Sequence, residues 1–76
     1  MNVLHLVITD YDRVEITRRI LEEEKVKGTS VTKYQEQKHK DGHHFFITVG
    51  SYSDCFYLGE RMGSAFRYCD ILKHKT

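Results

Sequence analysis

The chain repeats itself at an interval of 41 residues. Leu4, Leu6 and Ile8, followed by Tyr11 and Val14, return as Phe45, Ile47 and Val49, followed by Tyr52 and Cys55. Each copy alternates apolar with other residues, reaches a short polar turn (Asp10-Tyr11-Asp12, then Ser51-Tyr52-Ser53), and passes into apolar spacing of helical period. Alternation turns successive side chains to opposite faces of a strand, and the 3.6-residue period lines up one face of a helix. The repeat therefore predicts two strand-to-helix units, and with them a duplicated β-α-β architecture.

The residues around each unit predict the remaining elements. A first strand runs from about Val3 to Thr9, with Leu4, Leu6 and Ile8 on one face and Val3, His5 and Val7 on the other. Asp12 is placed to cap the following helix, with Glu15 three residues on and Tyr11 stapled against Ile16. Val14, Ile16, Thr17, Ile20 and Leu21 form the helix's inner arc, and Gly28 ends it near Val26 or Lys27. Thr29 to Gln37 reads as a second strand with Val31 inward, and Asp41-Gly42 as the hairpin turn into a third, His43 to Val49. Ser51 or Ser53 caps a second helix that turns Cys55, Leu58, Met62 and Ala65 to the core, with Gly59 and Gly63 allowing close approach to the sheet. Arg67 to Lys73 supplies a last strand. The order β-α-β-β-α-β is the ferredoxin-like sandwich of the α+β class: one domain over 1–76, with a four-stranded antiparallel sheet and two helices on one face.

Size and charge narrow the function. A chain of 76 residues builds one modest core, which favours binding surfaces over deep substrate cavities. The net charge is +1, from 12 Lys and Arg against 11 Asp and Glu, so no global field commits the chain to nucleic acid or an anionic membrane. The run Glu22-Glu23-Glu24 reads as a solvated helix face. Two widely spaced cysteines, Cys55 and Cys69, read as buried thiols. No stretch is long and apolar enough for a membrane span, and the N-terminus lacks the plan of a signal peptide. The expectation is a cytoplasmic protein without a membrane partner.

In this arrangement the second sheet face has no helix to cover it. Alternation sends His5, Val7, His44, Phe46 and Thr48 there, with Tyr34 and Tyr68 joining them. An apolar, aromatic face of this kind marks a contact surface for a protein partner or for a second copy. His43-His44-Phe45-Phe46-Ile47 and Leu4-His5-Leu6 resemble the central strands of RNA-recognition domains, without their glycine-and-aromatic signature. That resemblance implies binding of RNA or single-stranded DNA and transfers no binding residues; as a nucleic-acid binder the chain would offer Phe46, Tyr34 or Tyr68 for stacking and Lys33, Lys38, Lys40 and Arg67 for phosphates. Val49-Gly50-Ser51-Tyr52-Ser53 resembles the strand-to-helix segment of SPOR-type peptidoglycan-binding domains, which also have duplicated β-α-β halves. The first half, Ile8-Thr9-Asp10-Tyr11-Asp12, lacks the corresponding glycine.

No group of residues has catalytic spacing. His39, His43, His44 and Asp41 crowd the hairpin, but on a hairpin the interval between His39 and His43 does not have helical geometry, and His43 and His44 point to opposite faces. Cys55 falls on the inner side of its helix, and Ser51 and Ser53 suit caps better than nucleophiles. Catalytic residues, a metal site and cofactors are therefore not expected; a metal- or ligand-sensing domain is the remaining chemical reading. The chain reads as a non-enzymatic binding or regulatory protein that homo-oligomerises or captures another macromolecule through its sheet face or an edge strand, such as an inhibitor encoded by a phage or mobile element.

Overall fold

The computed structural model describes the backbone of residues 2–75 and the side chains of residues 2–67. The elements run β1 (Asn2–Ile8), α1 (Tyr11–Lys27), β2 (Val31–His39), β3 (Gly42–Val49) and α2 (Tyr52–Lys75). The three strands form one antiparallel sheet in the order β1-β3-β2.

The repeat is written into the pairing of β1 with β3. Leu4 lies opposite Ile47 and Leu6 opposite Phe45, while His5 pairs with Phe46, its own counterpart in the second copy. An antiparallel pair centred on equivalent residues has a local two-fold axis, here through His5 and Phe46. Leu4, Leu6 and Ile8 pack against a buried cluster that includes Phe45, Ile47 and Val49 from β3, Val14, Ile20 and Leu21 from α1, and Leu58 and Met62 from α2.

Local chemistry sets the helix ends. Asp10, rather than Asp12, caps α1: its extended backbone (φ −86°, ψ 120°) lets the carboxylate accept from the Asp12 N–H at 2.9 Å. The helix stops at Lys27 because Gly28 takes the left-handed conformation (φ 69°) and returns its N–H to the last turn. At α2, Ser51 accepts from the Asp54 N–H through Oγ and donates to Asp54 Oδ2.

The fourth strand is absent, and the ferredoxin-like arrangement is accordingly incomplete among the described residues. The segment predicted as Arg67 to Lys73 continues α2. Leu58, Met62, Ala65, Cys69 and Leu72 keep the four-three interval of a helix through that segment, and the chain has no proline to stop it. The apparent strand alternation there was the weaker of two periodicities in the same residues. Gly59 and Gly63 also differ from expectation. An added Cβ at either meets nothing within 4 Å, so they are not points of close approach to the sheet.

Both helices lie on one face. α1 covers the β2 side, where Arg18 reaches Glu36 and Glu22 reaches Tyr34. α2 runs antiparallel to α1: Tyr57 and Arg61 meet Glu24 near the end of α1, and Arg13 near its beginning lies over the Phe66 ring at 5.1 Å.

Glu24 corrects the reading of the acidic run as solvated. It is 1% exposed and joins three parts of the chain. Its carboxylate accepts from Thr29 and Ser30 after α1, and from Tyr57 and Arg61 of α2. Burial pushes its pKa up, but the hydrogen bonds from Thr29, Tyr57 and Arg61 outweigh that effect and hold it at about 2.

Candidate functional site

The outer sheet face is built from alternate residues of three strands. Its cross-strand rows are Val7–His44–Gln37, His5–Phe46–Gln35 and Val3–Thr48–Lys33. Since α1 and α2 occupy the other side, no described element covers this one. The register places His5, Val7, His44, Phe46 and Thr48 on this one face, although Thr48 is only 6% exposed.

Tyr34 and Tyr68 do not join them. A bulge between Val31 and Lys33 inserts one residue against β3 and reverses the parity of β2. Tyr34 consequently turns to the helix side, where its hydroxyl donates to Glu22 at 2.6 Å and Lys25 sits over its ring. Burial first, and then the neighbouring carboxylate, raises its pKa to about 12. The same reversal brings Lys33, Gln35 and Gln37 to the outer face, a set that uniform alternation misses. Tyr68 belongs to α2, with its side chain outside the described residues. Arg67, expected beside the phosphate-binding lysines, is likewise on the helix.

An aromatic stack occupies the centre of the outer face. The His5 and Phe46 rings are nearly parallel, 4.4 Å apart at 8°, and His44 stacks on His5 at 5.0 Å. His39 meets His44 edge-on at 4.5 Å. Hydrogen bonds hold the rings in place. Asp41 is accept-only when ionised, so His44 Nε2–H donates to its Oδ1 at 2.8 Å. In that tautomer His44 Nδ1 accepts from His5 Nε2–H at 2.9 Å. The hydrogen bond from His44 holds the Asp41 carboxyl below its usual range. Among the described residues, however, no three or more His, Cys, Asp and Glu side chains form a metal-binding group.

His43 points through the sheet to the helix side, as its parity requires. Its Nδ1–H donates to Glu36 Oε2 at 2.8 Å, beside a two-pronged contact from Arg18 at 2.9 and 2.8 Å. The Arg18 hydrogen bond leads the causes that hold Glu36 at a pKa of about 2. These groups brace α1 against β2 and contribute nothing to the outer face. Cys55 is half-buried against the core.

A shallow hollow of about 390 Å³ lies on the outer face beside Val3, Lys33 and Phe46. A larger trough, about 680 Å³, follows α1 between charged side chains such as Arg18, Glu22 and Lys27. The outer face places apolar and aromatic area next to the polar side chains Lys33, Gln35 and Gln37. Asp41, at its hairpin end, is the carboxylate associated with it; Glu22, Glu23, Glu24 and Glu36 serve the helix side.

No helix of the described residues is long and apolar enough to cross a membrane. The Val49–Ser53 segment does join a strand to a helix, but the return strand that would complete a second β-α-β half is not formed. No protein-family model matches the chain, and neither the curated proteins nor the solved structures provide a match.

Proposed function

We propose that this chain is a small non-enzymatic binding module whose outer sheet face docks onto a protein partner, as a regulator or inhibitor would. The observation that supports this most directly is the uncovered Phe46–His5–His44 stack, flanked by Val3 and Val7 at 64% and 45% exposure. An aromatic cluster inside an apolar surface, bordered by Gln35, Gln37 and Lys33, has the anchor-and-rim composition of a protein contact site. Phe46→Asp places a charge at its centre while leaving the buried Phe45 and Ile47 intact. Capture from cells with the native chain should retain a specific protein that Phe46→Asp loses, with both variants giving the same circular dichroism spectrum. An identical set of captured proteins for the two variants would rule out this use of the face.

The stacked rings beside Lys33 support a second reading, binding of single-stranded nucleic acid. The acidic helix-side groups are on the opposite face. This reading requires oligonucleotide affinity that falls steeply between about 50 and 200 mM salt. Anisotropy titration with labelled single-stranded RNA and DNA separates the two readings, since a protein-docking face gives no such binding at the lower salt.

A further inference from the structure

We propose that two copies of this chain pair through β1, antiparallel and edge to edge, to make a continuous six-stranded sheet. This pairing does not depend on the proposed docking: it engages the backbone edge of β1 and the flank of α2, with Val3, His5 and Val7 lying at the margin that the two surfaces share.

The two edges of the sheet are built differently. β2 carries a bulge together with Lys33, Glu36 and Lys38, features that discourage strand addition. β1 is seven residues long and has no bulge, proline, lysine, arginine or carboxylate. The local two-fold axis relating β1 to β3 also maps β2, on the far side of β3, onto a position beside β1 where no strand lies among the described residues.

The sequence of β1 fits a second β1 in that position. Val3-Leu4-His5-Leu6-Val7 is a palindrome. Two identical antiparallel strands centred on His5 bring Val3 opposite the partner copy's Val7, Leu4 opposite its Leu6, and His5 opposite its His5. Every cross-strand pair is thus matched in type, and no like charges meet at neutral pH. A different segment would gain the same backbone hydrogen bonds without this side-chain symmetry.

α2 supplies a second matching surface. Tyr57 and Arg61 face α1, so helical spacing puts Tyr52, Phe56, Gly59 and Gly63 on the flank turned away from α1. A two-fold perpendicular to the sheet makes those flanks meet, with Tyr52 opposite Gly63 and Phe56 opposite Gly59. β1 advances about 10 Å from Asn2 to His5, and α2, which starts three residues after Asn2's partner Val49, advances about 8 Å from Tyr52 to the centre of its two pairs, so the two matches centre within about 2 Å of each other along the strand. Tyr52 and Phe56 are 74% and 77% exposed, which leaves roughly 300 Å² of aromatic surface to cover in each copy. With the strand edges included, the pair buries on the order of 1,000 Å², the lower bound for a specific interface.

Two measurements test the register. The native chain should sediment as a dimer, V3K/V7K as a monomer because lysines then face each other, and V3K/V7E as a dimer because each lysine faces a glutamate. In a Cys55→Ser/Cys69→Ser background, His5→Cys should cross-link into a covalent dimer on mild oxidation, because residue 5 meets itself on the axis. Val3→Cys in the same background should not, because its symmetry mate lies about four residues along the strand, beyond disulfide reach. A monomeric native chain overturns the proposal, as does a dimeric V3K/V7K or equal cross-linking at residues 3 and 5. The cross-linking comparison decides the register even if the lysine variant does not fold.

Discussion

Replacing Arg61 with methionine should weaken this protein far more than an ordinary surface substitution. Arg61 is partly exposed, with 28% of its side chain accessible, but its Glu24 partner is only 2% exposed. Glu24 has a pKa of about 2 in the folded chain, against an ordinary value of 4.5. That difference corresponds to about 3 kcal/mol of native-state preference for the charged form at neutral pH. Arg61→Met removes the cationic share while Thr29, Ser30 and Tyr57 continue to donate, so a loss of about 2–3 kcal/mol is expected. A domain of this length has only about 4–11 kcal/mol in total, and the melting temperature should therefore fall by roughly 10–20 °C. The sign with respect to pH follows from the lowered folded pKa. The stabilisation is present above pH 4.5 and is lost as pH falls through about 2. Glu36, also held at about 2, behaves in the same way. Together the two carboxylates give an acid limb approaching 2.7 kcal/mol per pH unit, roughly half of which Glu24→Gln should remove. Urea unfolding followed by circular dichroism from pH 7 to pH 2.5 measures each quantity. Adding Glu24→Gln to Arg61→Met should recover part of the loss, because the unpaired buried charge is then gone. A change of less than 3 °C in Arg61→Met, or an unaltered acid limb in Glu24→Gln, would refute the assignment of Glu24 as the charged tie between the helices.

Other substitutions probe the backbone and the core. Gly28→Ala should cost about 1 kcal/mol, as the left-handed conformation is strained for alanine although its Cβ meets nothing within 4 Å. Gly42→Ala should cost distinctly more: at φ 141° its Cβ would stand 2.8 Å from the Ile8 carbonyl oxygen and push β1 from the hairpin. Thermal melts of the two variants measured side by side check the order. Thr17→Val should be neutral or stabilising by up to about 1 kcal/mol, because Thr17 is fully buried and its Oγ1 has no hydrogen-bond partner among the described residues; a loss above that size in urea unfolding would show that the hydroxyl is satisfied.

The first three strands and the existence of both helices are legible because their signals are local, whereas the cap of the first helix is Asp10 and not Asp12. Leu4, Leu6 and Ile8 alternate, Gly28 ends a helix, and Asp41-Gly42 turns a hairpin, each within a few residues. The outer face follows from that alternation for His5, Val7, His44 and Phe46. Tyr34 fails because a single extra residue in β2 reverses every side chain after it, and a bulge depends on the partner strand's register. Glu24 fails for a related reason. Neither Tyr57 nor Arg61 is near it in sequence, so three adjacent glutamates look equally solvated until the helices are packed. The last strand illustrates competition between two periods. Arg67 to Lys73 alternates well enough for a strand, but its apolar residues also continue the interval begun at Leu58, and a helix already under way extends more readily than a strand begins.

The bulge in β2 sets a limit on growth. A strand with an inserted residue, lysines and a glutamate at its rim is a poor template for another chain, whereas β1 has none of these defences. A molecule with one receptive edge and one blunted edge cannot polymerise by strand addition: once two receptive edges have met, both outer margins are β2, and the assembly terminates. The chain can therefore leave β1 uncharged without making itself the seed of a fibre.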